Sequence, residues 1–291
     1  MCQYNKLDLL AGEILYYLEK ANKYEKLAAK VYQMLEDAWQ QKSAGAVVDV
    51  YHFLMQNKGS ITDKELEHLM QILDYYLGEL LAEDLKMPMY NIALNTYKLP
   101  YNELGVKFVF HKKNLEVLKW LKETDNYFIR DFFNSQLSDK IKSSLIEIVS
   151  EGAPRTQAAA RLRDTLTTQL TPKTTTLNVR QYFGGVANNF ITRARSFSQV
   201  QAYVEAGVTK YQISAVIDDR TSEICRQMDG KVFELEEGLK LRDKYISTPA
   251  NKIKDTLGWV KPDNIDKTSK YKLSLPPYHF NCRTRTIIYR D

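Results

Sequence analysis

The apolar residues of this 291-residue chain recur mostly at helical spacing as far as Ala206 and switch to alternation after Gly207. A chain patterned in this way must build helices first and a small sheet last. From Leu9 to about Trp39, apolar side chains recur at Leu10, Ile14, Leu18, Ala21, Leu27, Ala28, Val31, Tyr32 and Leu35, the stripe of one long amphipathic helix. A short apolar helix over Val47 to Met55 is expected next, broken at Lys58-Gly59-Ser60. Thr62-Asp63-Lys64-Glu65 reads as a capping box: the Thr hydroxyl accepts from the third backbone N–H while Glu65 reaches back to the cap. The helix it opens sets Leu66, Leu69, Met70, Leu73, Leu77, Leu80 and Leu81 on one face.

Pro88 and Pro100 are expected to bound a less regular stretch, with short helices near Tyr90 to Tyr97 and Lys113 to Lys122 and a short strand over Val106 to Phe110. Asp125 to Val149 reads as helix and ends at Glu151-Gly152-Ala153-Pro154, after which Arg155 to Leu170 forms another. Thr171 to Thr176 is a polar linker to a helix from about Asn178 to Ala206. Gly184-Gly185 inside that helix costs about 1–2 kcal/mol relative to alanines, so the pair must permit a kink or a close approach. Beyond Gly207, Val208, Tyr211, Ile213, Ala215 and Ile217 alternate as a strand, Gly230 to Phe233 gives a second after an Asp-Gly turn, and Thr284 to Tyr289 a third. Leu235 to Asp243 is expected to be helical. The fold class is α+β: a mostly helical N-terminal part and a small C-terminal module with a short antiparallel sheet fed by long helices. The organisation expected is a helical region over 1–124, a helical connector over 125–207 and an α+β module over 208–291.

Charge is unevenly placed. Residues 1–150 carry 18 Lys and Arg against 21 Asp and Glu, whereas residues 151–291 carry 23 against 15, and the stretch 151–217 has 8 against 3. Such a basic half suits nucleic acid or an acidic protein surface, or is an ordinary solvated face. Arg180, Arg193 and Arg195 are the candidate nucleic-acid contacts. No signal-peptide pattern and no membrane-spanning apolar run is present, so the chain reads as soluble and made in the cytoplasm. Three cysteines cannot make a disulfide framework.

Two of those cysteines and one of four histidines fall into two clusters: Asp218-Asp219-Arg220-Thr221 with Cys225 and Asp229-Gly230, and Pro276-Pro277-Tyr278-His279-Phe280-Asn281-Cys282-Arg283. Zinc takes four Cys, His or carboxylate ligands, and the two-residue gap of His279-Phe280-Asn281-Cys282 suits it. Cys225, His279, Cys282 and Asp219 are then the ligand candidates. The signal is incomplete, because Ser222 stands where a Cys-x-x-Cys pair would need a cysteine. A Cys225–Cys282 disulfide is another reading. Catalysis is weaker still: His279 with Asp218 or Asp219 and a cysteine lacks a helix start or strained elbow, and Arg193, Ser198 and Glu205 lack the Glu-x-Glu of a transferase site. A structural reading accounts for more residues. Asp218 and Thr221 fold the turn, and Arg283 and Arg285 clamp its carboxylates, so that Asp218, Asp219, Arg220, Thr221, Cys225, Asp229, Gly230, His279, Asn281, Cys282 and Arg283 form a clasp between chain segments. No catalytic residue and no cofactor is assigned, with zinc as the alternative.

The run Arg193 to Gly207, then Tyr211 to Ile217, Asp219-Arg220-Thr221, Cys225, Asp229 to Phe233 and Pro276-Pro277 with His279, Asn281, Cys282 and Arg283, resembles the C-terminal signature of the phage Mu F-like head morphogenesis, or minor head protein, family. Ile141 to Leu166 resembles its lead-in, so the likeness covers about residues 125–291. Members of that family often carry cysteine where Ser222 and Thr284 stand here, which removes half of a four-cysteine site, and the usual Arg-Thr-Glu is altered near Ser196, Ser198 and Gln199. The resemblance implies a non-enzymatic minor capsid component of a tailed phage or prophage, made in the host cytoplasm and carried in the virion. Its implied partners are portal and capsid proteins and packaged DNA, with no membrane. The other reading is a DNA-binding or metal-dependent DNA-processing protein that uses the basic 151–217 helices and the His279 cluster.

Overall fold

The structure is a computed structural model that describes residues 6–56, 61–132, 138–151, 154–168, 179–253, 262–268 and 270–289. The expected break at 58–60 and the linker at 171–176 lie outside the described residues.

Helix α1 (Lys6–Gln56) is a single rod, roughly 75 Å long at 1.5 Å per residue. The separate helix expected over Val47 to Met55 is its last part, because Ala46, Val50 and Leu54 continue the buried stripe of Tyr24, Ala28, Val31, Leu35 and Trp39. Helix α2 (Asp63–Asp74) starts at the capping box read from the sequence: Thr62 Oγ1 accepts from the Glu65 N–H at 3.3 Å and Glu65 accepts from the Thr62 N–H at 2.8 Å. It passes through one π-helical segment, Tyr75–Leu80, into helix α3 (Leu81–Leu104).

The two prolines do not bound an irregular stretch. Both lie inside α3. An interior proline costs about 3 kcal/mol, but Leu77, Leu81, Leu85, Met89, Ala93, Tyr97 and Tyr101 recur every four residues and are all essentially buried. At about 1.5–3 kcal/mol for each large apolar side chain, that ladder outweighs two prolines. Val106 to Phe110 forms no regular element and pairs with no strand among the described residues. Val106 N–H bonds back to the Tyr101 carbonyl at 2.9 Å, Asn114 Nδ2 donates to the Val109 carbonyl at 2.9 Å, and the Phe108 ring packs edge-on to Tyr101 at 4.9 Å. It is a helix-to-helix corner, not a strand, since the sheet lies elsewhere. The stretch expected as helix over Asp125 to Val149 is helical wherever it is described, in α4 (Lys112–Phe132) and α5 (Ser138–Ser150), with 133–137 outside the described residues, and α6 (Arg155–Thr168) follows.

Helix α7 (Val179–Glu205) is the axis of the molecule, with α1, α3, α4 and a later helix, α9 (Leu235–Ile246), packed around it. Surrounded in this way it is apolar on nearly every side: Phe183, Val186, Ala187, Phe190, Ile191, Ala194, Phe197, Val200 and Tyr203 are all buried. Chain reversal at Gly207 (φ +69°) leads into β1 (Lys210–Ser214), then the short helix α8 (Glu223–Met228), β2 (Val232–Glu234), α9 and finally β3 (Arg285–Ile288). The sheet is antiparallel in the order β2-β1-β3, with Tyr211 opposite Phe233 on one side and Ile288 on the other. The Tyr211 hydroxyl donates to the Ser274 carbonyl at 2.7 Å. One apolar core runs from Tyr24 to Cys282 through all three sequence segments.

The paired glycines of α7 differ in role. A Cβ on Gly185 would lie 2.4 Å from the Phe280 ring, while one on Gly184 meets nothing within 4 Å. Gly185→Ala is therefore expected to lose about 1–3 kcal/mol of stability by overpacking, and Gly184→Ala to be neutral or to gain up to about 1 kcal/mol of helix propensity. Denaturant midpoints of the two variants, measured side by side, check this.

Candidate functional site

The site is the place where the two sequence clusters meet against α7. The turn after β1 is built by its own side chains. Thr221 Oγ1 accepts from the Asp218 N–H at 2.8 Å and donates to the Val216 carbonyl at 2.6 Å, and Asp218 Oδ1 accepts from the Arg220 N–H at 2.9 Å. These are the local bonds by which Asp and Thr favour turns over strand. Ser222 then caps α8, accepting from the Cys225 N–H at 3.4 Å, and so orients Cys225 inward. At the far end of α8, Asp229 Oδ1 accepts from the Ala215 N–H at 2.8 Å, and Gly230 (φ +78°) makes the turn into β2. That backbone angle is one a side chain resists.

The second cluster arrives through Pro276-Pro277, whose peptide bond is cis. Asn281 takes a left-handed conformation (φ 60°), tolerable for asparagine, and the resulting tight turn brings His279 and Cys282 together. Helix α7 holds this turn from beneath. Asn188 Nδ2 donates to Asn281 Oδ1 at 3.0 Å, and Thr192 Oγ1 donates to the Cys282 carbonyl at 3.0 Å. Asn188 and Thr192 were missed by sequence reasoning; their i, i+4 spacing on one helix face is the signal they carry, and nothing in it names a partner.

Between the clusters stands a bidentate ion pair. Arg283 Nη1 donates to Asp218 Oδ2 at 2.7 Å and Nη2 to Oδ1. The Arg283 guanidinium holds the Asp218 carboxyl well below the usual carboxylate range; burial opposes this, and the Arg220 amide and Thr221 hydroxyl support it. The bidentate clamp is Asp218 to Arg283; Arg220, exposed on the turn, adds a looser ion pair at 3.6 Å to Asp218 Oδ2, and Asp219 is exposed beside it.

Behind the pair, Cys225 and Cys282 are buried and their sulfurs are 3.7 Å apart, so they are free thiols rather than a disulfide. His279 Nε2 lies 3.1 Å from Cys225 Sγ and 2.7 Å from Ser222 Oγ. Its other nitrogen, Nδ1, donates to the Phe280 carbonyl at 2.5 Å. A hydrogen bond from Cys282 draws Cys225 below the ordinary thiol range; burial opposes this, and His279, Ser222 and Thr284 support it. Cys282 moves the other way, raised by the same bond and by burial. Burial pulls the His279 pKa down, but the bonds to Cys225 and the Phe280 carbonyl outweigh it, and the net direction is up.

Of the zinc candidates, Cys225, His279 and Cys282 converge, with ligand atoms all within 4.8 Å of one another; Asp219 does not join them. The basic residues go elsewhere. Arg193 is 3% exposed and its guanidinium sits 5.6 Å from the Trp120 ring and 5.4 Å from the Tyr245 ring, so it offers nothing to a phosphate at the surface. Arg195 stacks over the Tyr24 ring at 4.0 Å, and the Arg180 side chain lies outside the described residues. Arg193, Ser198 and Glu205 form no set: the Ser198 hydroxyl donates to the Tyr97 carbonyl and Glu205 accepts from the Tyr101 hydroxyl at 3.3 Å. No described helix is long and apolar enough to cross a membrane.

A family model for phage Mu protein F like protein matches residues 139–287, just over half of the chain. Comparison with curated proteins finds no match, and comparison with solved structures finds none. The matched span takes in α7, β1, β2, most of β3, the Asp218–Arg283 clamp and the turn that carries His279 and Cys282. With both halves of the clasp inside that span, the chain belongs to the phage Mu protein F like family.

Proposed function

We propose that the protein is a non-enzymatic minor head protein of a tailed phage or prophage, made in the host cytoplasm, docked near the portal during head assembly and retained in the virion. The observation that carries this reading is the match of residues 139–287 to a family whose members act in phage head morphogenesis. Two features support docking as its mode of action. On the last turns of α1, Val48, Tyr51 and Met55 fall at i, i+3 and i+7 and are 51%, 44% and 47% exposed, an apolar stripe on a rigid rod. Asp218, Thr221, Asp229, Asn281 and Arg283 spend their polar groups on the turns they fold, on each other and on α7, as a structural closure does. Portal and shell proteins are the partners proposed, with packaged DNA as a further neighbour of the basic half.

Mass spectrometry of purified virions and procapsids tests the proposal. The expected result is recovery of the chain from both; absence from both overturns it.

A further inference from the structure

We infer that Cys225, His279 and Cys282 form a zinc site in which three protein ligands hold the metal and solvent closes the fourth position. The inference is independent of whether the chain is built into a head. It rests first on shape. A tetrahedral zinc with Zn–S bonds of about 2.3 Å sets two sulfur ligands about 3.8 Å apart. The two sulfurs here are 3.7 Å apart, and His279 Nε2 lies 3.1 Å from one of them. The third edge, from Cys282 Sγ to Nε2, is within 4.8 Å. The sulfur pair already has the tetrahedral spacing, and the imidazole is the ligand that has to shift to centre an ion between the three donor atoms.

The second support is the histidine's outer contact. The Phe280 carbonyl can only accept, so Nδ1 carries the proton and Nε2 is the nitrogen left to exchange a proton for a metal. A ligating histidine that donates its other N–H to a carbonyl is the usual arrangement in zinc sites, where it fixes ring orientation and raises ligand basicity. Nε2 is also the nitrogen that faces the Cys225 thiol.

The third support is charge. Two thiolates and one neutral imidazole around a dication sum to zero, the one ionic combination that suits a pocket in which both cysteines are almost wholly buried. Ser222 and Thr284 flank the cluster with hydroxyls, which are not usual zinc ligands; a bound water hydrogen-bonded to Ser222 completes the tetrahedron. Such a metal ties α8 to the strand that ends the sheet, bridging positions 225 and 282. Its binding energy would therefore act as folding energy.

The test uses the full chain, purified under reducing conditions without chelator. Elemental analysis is expected to find about one zinc per chain, and metal stripping to lower Tm. Cobalt(II) added to the stripped chain is expected to give thiolate-to-cobalt charge-transfer absorption that Cys282→Ser abolishes. Because Cys282→Ser could also unfold the module, Ser222→Cys serves as the second variant: it supplies a fourth ligand and is expected to slow zinc loss to a competing chelator by about tenfold or more. A folded, reduced chain with no stoichiometric metal and no cobalt–thiolate band overturns the inference. So does recovery of a Cys225–Cys282 disulfide from that preparation, or a Ser222→Cys chain that retains zinc no better than the parent.

Discussion

Arg193→Ala is expected to lower folding stability by about 3 kcal/mol or more, with no loss of any affinity for DNA measured on the folded chain. The residue is a cation buried in the core. Its guanidinium lies against both the Trp120 and Tyr245 rings, which pack on each other at 5.8 Å, on the face where α4 and α9 close over α7. Trp120 is itself held by a bond from Nε1 to the Thr248 carbonyl at 2.9 Å, so its ring cannot move to refill the space. Truncation leaves a cavity of arginine size, worth about 2–5 kcal/mol for large-to-small changes, and removes two desolvated cation–π contacts of about 2 kcal/mol or less each. For a chain of this length, each kcal/mol moves Tm by roughly 2–4 °C, so the melting point should fall by about 6–12 °C. Arg193→Lys keeps the charge but not the planar face and should fall between the parent and the alanine variant. Denaturant unfolding of the three chains decides it. A loss below about 1 kcal/mol together with weakened DNA binding would return Arg193 to the surface role its sequence context suggested.

That contrast shows where the sequence was legible. Period and capping are local, so α2 begins where Thr62 and Glu65 say it does, and the change of period at Gly207 marks the entry to the sheet. The turn after β1 and its ion pair were legible as residue types because Asp and Thr in a turn, and an arginine able to fork onto a carboxylate, can satisfy only a few geometries. What the sequence left open was which carboxylate the arginine takes, and Asp218 wins because its Oδ1 is already turned inward to bond the Arg220 amide. Burial was not legible. The i+4 ladder from Leu77 to Tyr101 lay in plain view, but the stabilisation that carries a helix through Pro88 and Pro100 comes from the helices packed against it. Arg193 fails for the same reason, since a basic residue on a helix gives no sign of how many neighbours surround that helix. Ser222 was read as a missing ligand, and its presence beside His279 follows from its role as the cap of α8.

The carboxyl that faces Arg193 gives the second large effect. Asp125, on α4, is 3% exposed, and its Oδ2 has no hydrogen-bond partner among the described residues. Burial pushes its pKa up to about 8, and the Arg193 charge pulls against that rise without cancelling it. In the unfolded chain an aspartate titrates near about 4. Between those two values the folded chain holds a proton that the unfolded chain has released, so stability falls as pH rises from about 4 to about 8 and then levels off. The slope contributed by this one group approaches about 1.4 kcal/mol per pH unit, and over the window it amounts to several kcal/mol. Asp125→Asn keeps the shape of the protonated carboxyl and cannot ionise. The variant is expected to match the parent near pH 4, to lose the downward slope, and to exceed the parent in stability by a few kcal/mol at about pH 8. Urea unfolding of both chains across that range measures it. Two parallel profiles would mean that Asp125 is ionised in the folded chain and paired with Arg193, and the buried pair would then have to be treated as a salt bridge whose loss destabilises at every pH.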